Sequence, residues 1–395
     1  MRGGVAMVQK NKAGLSYLQS GTLAALYALV LLLFVLYSYT QIDLGLTLSQ
    51  SSVVGAIQRQ FQSIGFFNRP LSASLYIGIL LPLFVLYGSM IRLAYQGKVS
   101  RKQFWSIVIL IWGVSLAAFP AFSYDFFNYL FTAKTVLIYH KNPYEVIPLQ
   151  FTGVDPWLSF MHWTHLPSAY TPLWIVSTLV PYLFGFGKLL LLIVNFKLYI
   201  GLFYLLTILG IERALQGKNA SLVRAGTVIF SLNPLVLVEC LISPHNDIVM
   251  MAIAVWSLVL YRNSQKWASW FVLSVSIAMK LMTIFLIPAF FFKWNRKIAL
   301  GGMILGFIAV LFQREVLSWY WVWIVPFVAL VPEYPRVAVL SFGVSMGLLL
   351  RYVPYLYLGH WNDPAPAVKL WVTAIPIAVS VLSVLYMGYR RRRTH

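Results

Sequence analysis

Cysteine is almost absent from this chain of 395 residues, and acids are nearly as scarce. The single cysteine, Cys240, excludes an internal disulfide and any metal site built on thiolates. Only ten carboxylates occur: Asp43, Asp125, Glu145, Asp155, Glu212, Glu239, Asp247, Glu315, Glu333 and Asp363. Any carboxylate chemistry must draw on that set. Charged residues make up 10% of the chain against 60% hydrophobic, and the mean hydropathy is +0.78, which excludes an ordinary soluble enzyme. No polar stretch is long enough for a sizeable soluble domain. Neither a solenoid period nor a pair of similar halves is visible, which weighs against inverted-repeat transporter folds.

What the chain does hold is apolar runs of membrane length. A spanning helix needs about 20 mostly apolar residues, and such runs recur at 21–40, 71–91, 104–122, 189–210, 223–243 and 368–388. The first is too long for a signal-peptide core and no cleavage pattern follows it, so it reads as a retained span. A net charge of +20 would suggest nucleic acid in a soluble protein. Here the basic residues form short clusters between spans, where anionic cytoplasmic lipid attracts them, and no nucleic-acid partner is expected. The clusters "MRGGVAMVQKNK", "RLAYQGKVSRK" (92–102), "KWNRK" (293–297) and the terminal "YRRRR" assign both termini to the cytoplasm. Counting spans from either end then puts Asp125, "FQREVLSWYW" (312–321) and the loop 351–367 on the outer face. Two threadings of the middle each give about twelve passes. In one, 170–186 and 267–292 both cross and "SPHND" (243–247) falls inside. In the other, 170–186 is a short partial helix, 267–292 is a pair of half-helices and "SPHND" falls outside; the charge rule prefers this second threading.

The outer segment 123–169 opens on "SYDFFNYLFTAKTVLIYHKNPY", with about a helix-length of residues from 126 to 140, a turn, and a second amphipathic stretch, "VDPWLSFMHWTHLP". Aromatics at that density suit helices lying in the membrane interface, as a lid over a site or as a plain anchor. Ser123 or Asp125 could simply cap the helix that follows. A carboxylate at the mouth of an aromatic bundle is also partly desolvated, which raises its basicity and suits it to accept a proton from an attacking hydroxyl. Asp125, Glu145, Asp155, Glu315 and, in the second threading, Asp247 share the outer face. Lys280 stands in "AMKLMTIFLIP" with no other charge between Lys266 and Lys293. An ionisable residue inside a span is costly and by default functional, although it can also snorkel or pair with Asp247 for structure alone. His245, Asn246 and Asp247 sit together at a span end; consecutive side chains point in different directions, so they do not make a metal site.

The ordered set "SYD", "NPY", "HWTHLPSAYTPLW", "FGK", "FSLNPL", "SPHND", "LVLYR", "AMKLMTIFLIP" and "QREVLSWYWVWIVP" resembles the GT-C membrane glycosyltransferases. The resemblance is nearest to mannosyltransferases that use polyprenyl-phosphate-mannose, including the subunit that adds the first mannose to GPI and the bacterial lipoglycan mannosyltransferases. It implies an all-α, polytopic helix bundle of about twelve spans with interfacial helices in the first large outer loop. It covers roughly 104–335, which would make 104–335 the catalytic core, 1–103 an added amino-terminal helical pair, and 336–395 a carboxy-terminal pair with a basic cytoplasmic tail. It also implies an inverting hexosyl transfer, with mannose as the sugar, from a polyprenyl-phosphate-sugar donor to a lipid- or glycan-linked acceptor on the outer face. In that family an acid of the first outer loop is the base, and a second acid, as Asp-x-Asp, can hold a metal. Asp125 is followed by Phe126 and Phe127, so the second acid is missing; a metal-free, single-base reaction is expected, with no required cofactor. The resemblance makes Asp125 catalytic and gives the donor phosphate to Lys280 and Arg314. His245, Asn246, Asp247, Tyr144, Trp319, Tyr320 and His165 are the further substrate contacts. The lack of a retention signal points to a bacterial plasma membrane. The competing reading is a transporter or flippase of a phosphorylated lipid or glycan, in which Lys280 grips phosphate while two related halves rock.

Overall fold

The computed structural model describes residues 21–393, so the amino-terminal basic cluster lies outside the described residues. Among those residues the chain is all helical, with no strand. Helix α1 (Gly21–Gln41) leads through α2 (Ser52–Gln62) to α3 (Arg69–Tyr95), α4 (Arg101–Ser115) and α5 (Asp125–Leu137). After a long loop come α6 (Pro172–Leu183), α7 (Leu189–Ala214), α8 (Ala220–Ser231), α9 (Pro234–Ile242), α10 (Asp247–Arg262) and α11 (Lys266–Met279). The last six are α12 (Leu281–Phe291), α13 (Arg296–Leu311), α14 (Ser318–Ala329), α15 (Pro335–Leu350), α16 (Val353–Leu358) and α17 (Ala365–Arg393).

Among the described residues five helices are long and apolar enough to cross a membrane: α1, α3, α7, the run Pro335–Leu358 and α17; α8 with α9 would make a sixth. Helices of membrane length are fewer than about twelve because several of the apolar runs are broken or short helices. Thus 104–122 ends as a helix at Ser115, 170–186 yields the 12-residue α6, and 267–292 divides at Lys280. Within 123–169, α5 forms as expected but buries Phe126, Phe127 and Tyr129 through Ala133 in the core. The stretch 154–167 is not a second interfacial helix: it holds only a 3₁₀ turn at Pro156–Ser159.

The axis of the bundle is α8, α9 and α10, most of whose residues are buried, in keeping with their largely apolar sequences. Asn233 caps α9 through its side chain and Pro234 at the first position has no N–H to give, so the helix breaks there and the pair bends by 49°. The break strips carbonyls of their helical partners, and in hydrocarbon each must be satisfied. Three tyrosines on three surrounding helices do so. Tyr27 donates to the Leu232 carbonyl (2.5 Å), Tyr87 to Ile229 (2.7 Å) and Tyr204 to Ser231 (2.8 Å). Thus α1 and α3 are tied into the core that carries the rest of the chain.

The two ends of the bundle differ in charge. Glu212 with Arg101 and Arg224, and Glu333 with Lys218 and Arg296, collect the basic clusters at the end where α10 finishes. The other end, where α10 begins, holds a cavity. A helix of 16 residues separates the two by about 24 Å.

Candidate functional site

Six pieces of chain converge on a cavity of about 470 Å³: the start of α5, Pro148, the loop 161–171, Asn246 ahead of α10, the break between α11 and α12, and the segment 314–320. Asp125, Tyr170, Asn246, Lys280, Arg314 and Trp319 are among the lining residues. Asp125, Tyr170 and Lys280 are each placed by an identifiable local device. Ser123 Oγ accepts the Asp125 amide (3.2 Å), so the serine serves the helix start and the Asp125 carboxylate is left for the cavity. Thr171 caps α6 ahead of Pro172 and its hydroxyl also donates to the Met279 carbonyl (2.7 Å), locking the loop that carries Tyr170 to the break that carries Lys280. Lys280 is extended (φ −162°, ψ 127°), which ends α11 and turns the side chain inward.

The Lys280 ammonium donates to Asp247 Oδ1 (2.6 Å) and Asn246 Oδ1 (3.3 Å). An ammonium has three donors, so one remains for a ligand. Asp247 also accepts from the Trp323 indole (2.5 Å). Behind Asn246, the His245 ring stacks on Trp319 with centroids 4.1 Å apart. Its Nδ1 lies 3.1 Å from the Glu239 carbonyl oxygen, which can only accept, so Nδ1 carries the proton. Burial holds the His245 imidazole below its ordinary pKa, keeping it neutral. Arg314 is exposed on the cavity wall and makes no ion pair among the described residues.

Asp125 is open to the cavity and hemmed in elsewhere. Burial, with a smaller effect from the charge of Asp247, raises its pKa above the ordinary carboxylate value; Lys280 and the hydrogen bond from Tyr170 (3.3 Å) pull in the opposite direction. The result is a carboxylate that binds a proton more readily than usual, in a wall it shares with the cations Lys280 and Arg314. The other acids expected nearby are spent elsewhere. Asp155 pairs with Lys134 (2.6 Å) and accepts from Tyr139, Glu145 accepts from Asn142, Glu315 is held by Arg351 and Lys369, and Asp247 backs Lys280. Among the described residues no three His, Cys, Asp or Glu side chains form a metal-holding group.

Of the residues singled out from sequence, the structure puts Asp125, Asn246, Lys280, Arg314, Trp319 and Tyr320 in the cavity wall, with His245 and Asp247 directly behind. Tyr144 and His165 are elsewhere. The Tyr144 hydroxyl donates to the Tyr170 carbonyl (2.6 Å), bracing the loop from outside, and His165 is exposed away from the wall. Tyr170, Asn128 and Trp163 were not anticipated; only Tyr170, just before the Thr-Pro helix start, had a signal of its own. Asn246 shares the cavity with Asp125, and 170–186 and 267–292 take their short and divided forms, as the second threading has them.

Two features extend the site. Beside it, an apolar groove of about 600 Å³ opens between α6, α11 and α12, walled by Trp270, Ile277 and Leu281; Thr171 lines both groove and cavity. On the other flank, Asp43 in the loop after α1 accepts from the Tyr124 hydroxyl (3.0 Å) and lies 3.7 Å from His162, whose ring stacks on Tyr124. Ser159 donates to the Gly45 carbonyl (3.0 Å), and any side chain at Gly45 would collide with the Ser159 backbone.

Residues 27–296 match the family model described as alpha-(1->6)-mannopyranosyltransferase, N-terminal domain. The match takes in Asp125, Tyr170, His245 to Asp247 and Lys280, and ends before Arg314, Trp319 and Tyr320. No curated protein and no solved structure matches.

Proposed function

This chain belongs to the alpha-(1->6)-mannopyranosyltransferase family, and from that premise we propose that the cavity transfers mannose, with inversion, from a polyprenyl-phosphate-mannose donor to a hydroxyl of a lipid- or glycan-linked acceptor. The observation that carries this reading is the isolation of one carboxylate, Asp125, in a wall it shares with Lys280 and Arg314.

Asp125 accepts the proton of the acceptor hydroxyl as that oxygen attacks the anomeric carbon. The bond from the anomeric carbon to the phosphate oxygen breaks, and its electron pair leaves with the polyprenyl phosphate. Lys280 and Arg314 take up the charge that grows on the departing phosphate, the guanidinium in two-pronged fashion. A phosphate leaving group is already weakly basic, so a base and cations suffice without a general acid. Trp319, backed by the neutral His245 ring stacked on it, forms the wall against which the sugar rests, and Tyr170 keeps the base oriented. The missing second acid after Asp125 supports a reaction that needs no divalent metal.

The basic clusters gathered at the far end of α10 support an orientation with that end in the cytoplasm and the cavity at the outer face. A bacterial plasma membrane fits this arrangement. The test is transfer of labelled mannose from synthetic polyprenyl-phosphate-mannose to native membrane lipids, comparing wild type with Asp125→Asn, each with and without a chelator. Product lost in Asp125→Asn and unaffected by the chelator supports the proposal. No product from wild type, with lipid phosphate still bound, would turn the reading toward a transporter.

A further inference from the structure

At the end of the bundle away from the cavity, α3, α15 and α17 enclose a groove of about 550 Å³ that the transfer reaction does not use. Its walls are apolar, with Ile91, Val339, Phe342, Met346 and Val379 among them. The geometry has a simple origin. Gly343 and Gly347 let α17 press directly on α15, because a Cβ at either would strike Pro376, Ser380 or Thr373. Beside that close crossing the helices diverge from α3, and Gly88 on α3 leaves the gap open toward Phe342. Helix α17 is otherwise barely covered by protein, with 6% of its apolar window buried.

A crevice walled mainly by apolar side chains is a poor site for water, and at membrane depth it is open to lipid chains. Hydrocarbon chains occupy it. The mouth then selects the headgroup. Arg92 lines the groove, and Arg336 reaches across toward α17, where a Cβ on Gly388 would lie 3.6 Å from its guanidinium. Neither arginine forms an ion pair with an acid among the described residues. Glu333, three residues before Arg336, is held by Lys218 and Arg296 instead. Two unpaired guanidinium groups at the rim of an apolar groove form the cationic pocket between spans that holds phosphate headgroups, and a zwitterionic lipid answers only part of that charge.

We propose that the groove between α3, α15 and α17 is a binding site for an anionic phospholipid, with acyl chains against Phe342 and Val379 and the headgroup phosphate between Arg92 and Arg336. The lipid fills the seam along which α17 is attached, so its presence is expected to stabilise the carboxy-terminal helix.

The experiment uses the full chain, delipidated in detergent and titrated with phosphatidylglycerol or phosphatidylcholine. Bound lipid is read by native mass spectrometry and thermal unfolding is followed in parallel. Wild type should retain phosphatidylglycerol in preference to phosphatidylcholine and melt at higher temperature with it. Each arginine near an anionic headgroup contributes roughly fivefold in affinity, so Arg92→Gln with Arg336→Gln should bind phosphatidylglycerol about 25-fold more weakly. Val339→Trp keeps both arginines and fills the groove; it should lose the lipid as well. Should the arginine variant melt early even without lipid, the comparison rests on Val339→Trp. Equal retention of the two lipids by wild type, or undiminished phosphatidylglycerol binding by Val339→Trp, would overturn the proposal. Sugar transfer enters neither readout, so the result is independent of the catalytic reading.

Discussion

Replacing Lys280 by Met separates what the lysine does for the fold from what it does for the substrate. Asp247 has a side chain only 1% exposed, and Lys280 covers it with a 2.6 Å bond while remaining 29% exposed itself. Without the ammonium, Asp247 keeps the Trp323 indole on Oδ1, whereas Oδ2 has no hydrogen-bond partner. Orphaning a buried charge costs about 3–5 kcal/mol, and the partial exposure of Lys280 places this case near the lower end. Adding Asp247→Asn removes the orphan charge and should return most of that loss, a coupling that a double-mutant cycle isolates. Catalysis should not return with it. A charge-assisted hydrogen bond to the departing phosphate is worth about 1.5–3 kcal/mol, so kcat/KM should stay roughly 10- to 100-fold down in the double variant. The assay is thermal unfolding in detergent beside steady-state transfer from polyprenyl-phosphate-mannose. A double variant that is stable and transfers mannose at the wild-type rate would refute a role for Lys280 at the phosphate and leave it a purely structural partner of Asp247.

Three more outcomes are expected. Asp125→Asn should lower the transfer rate by about 10²- to 10⁴-fold and abolish the acid limb of the pH–rate profile; in wild type that limb should lie above the ordinary carboxylate range, because burial raises the Asp125 pKa. A raised pKa also means that ionising Asp125 costs stability, so stability falls as pH rises from the unfolded to the folded value and the Asn variant should melt later than wild type at neutral pH. Tyr170→Phe removes a bond that favours the charged form, so the acid limb of the transfer profile should move to still higher pH. For Asp43, burial raises the pKa, but the His162 imidazole 3.7 Å away and the hydrogen bonds from the Gly45 amide and Tyr124 outweigh it and hold the carboxyl below its ordinary value. That stabilising contribution is complete above the unfolded pKa and disappears as pH falls through the folded one; in Asp43→Asn this acid-dependent loss of thermal stability should be absent.

The parts legible in the sequence were those where rarity carried the signal. With ten acids in the chain, Asp125 stood out, and a lysine alone between Lys266 and Lys293 could not be overlooked. Both line the cavity. Tyr144 and His165 lie outside the cavity lining, because residue type within an aromatic loop does not tell which way a side chain turns. Five or six described helices reach membrane length, fewer than the apolar runs, because run length does not show where a helix breaks, as it does at Pro234 and at the extended Lys280. The tyrosines that repair the α8–α9 break lie on α1, α3 and α7, 27–205 residues from their acceptors, a pairing no local pattern encodes. The tie between Asp43 and Tyr124 was hidden for the same reason, and it brings the loop after α1 to the flank of the site.

Thr171 stands at once in the cavity and in the apolar groove beside it. A lipid-linked donor that slips in past this residue never passes through water, so what governs its capture is its share of the bilayer and not its concentration in the flask. Half-saturation should then be constant as a mole fraction. Diluting the donor with inert lipid at fixed bulk amount would slow transfer, and concentrating the whole suspension would leave the rate per enzyme unchanged.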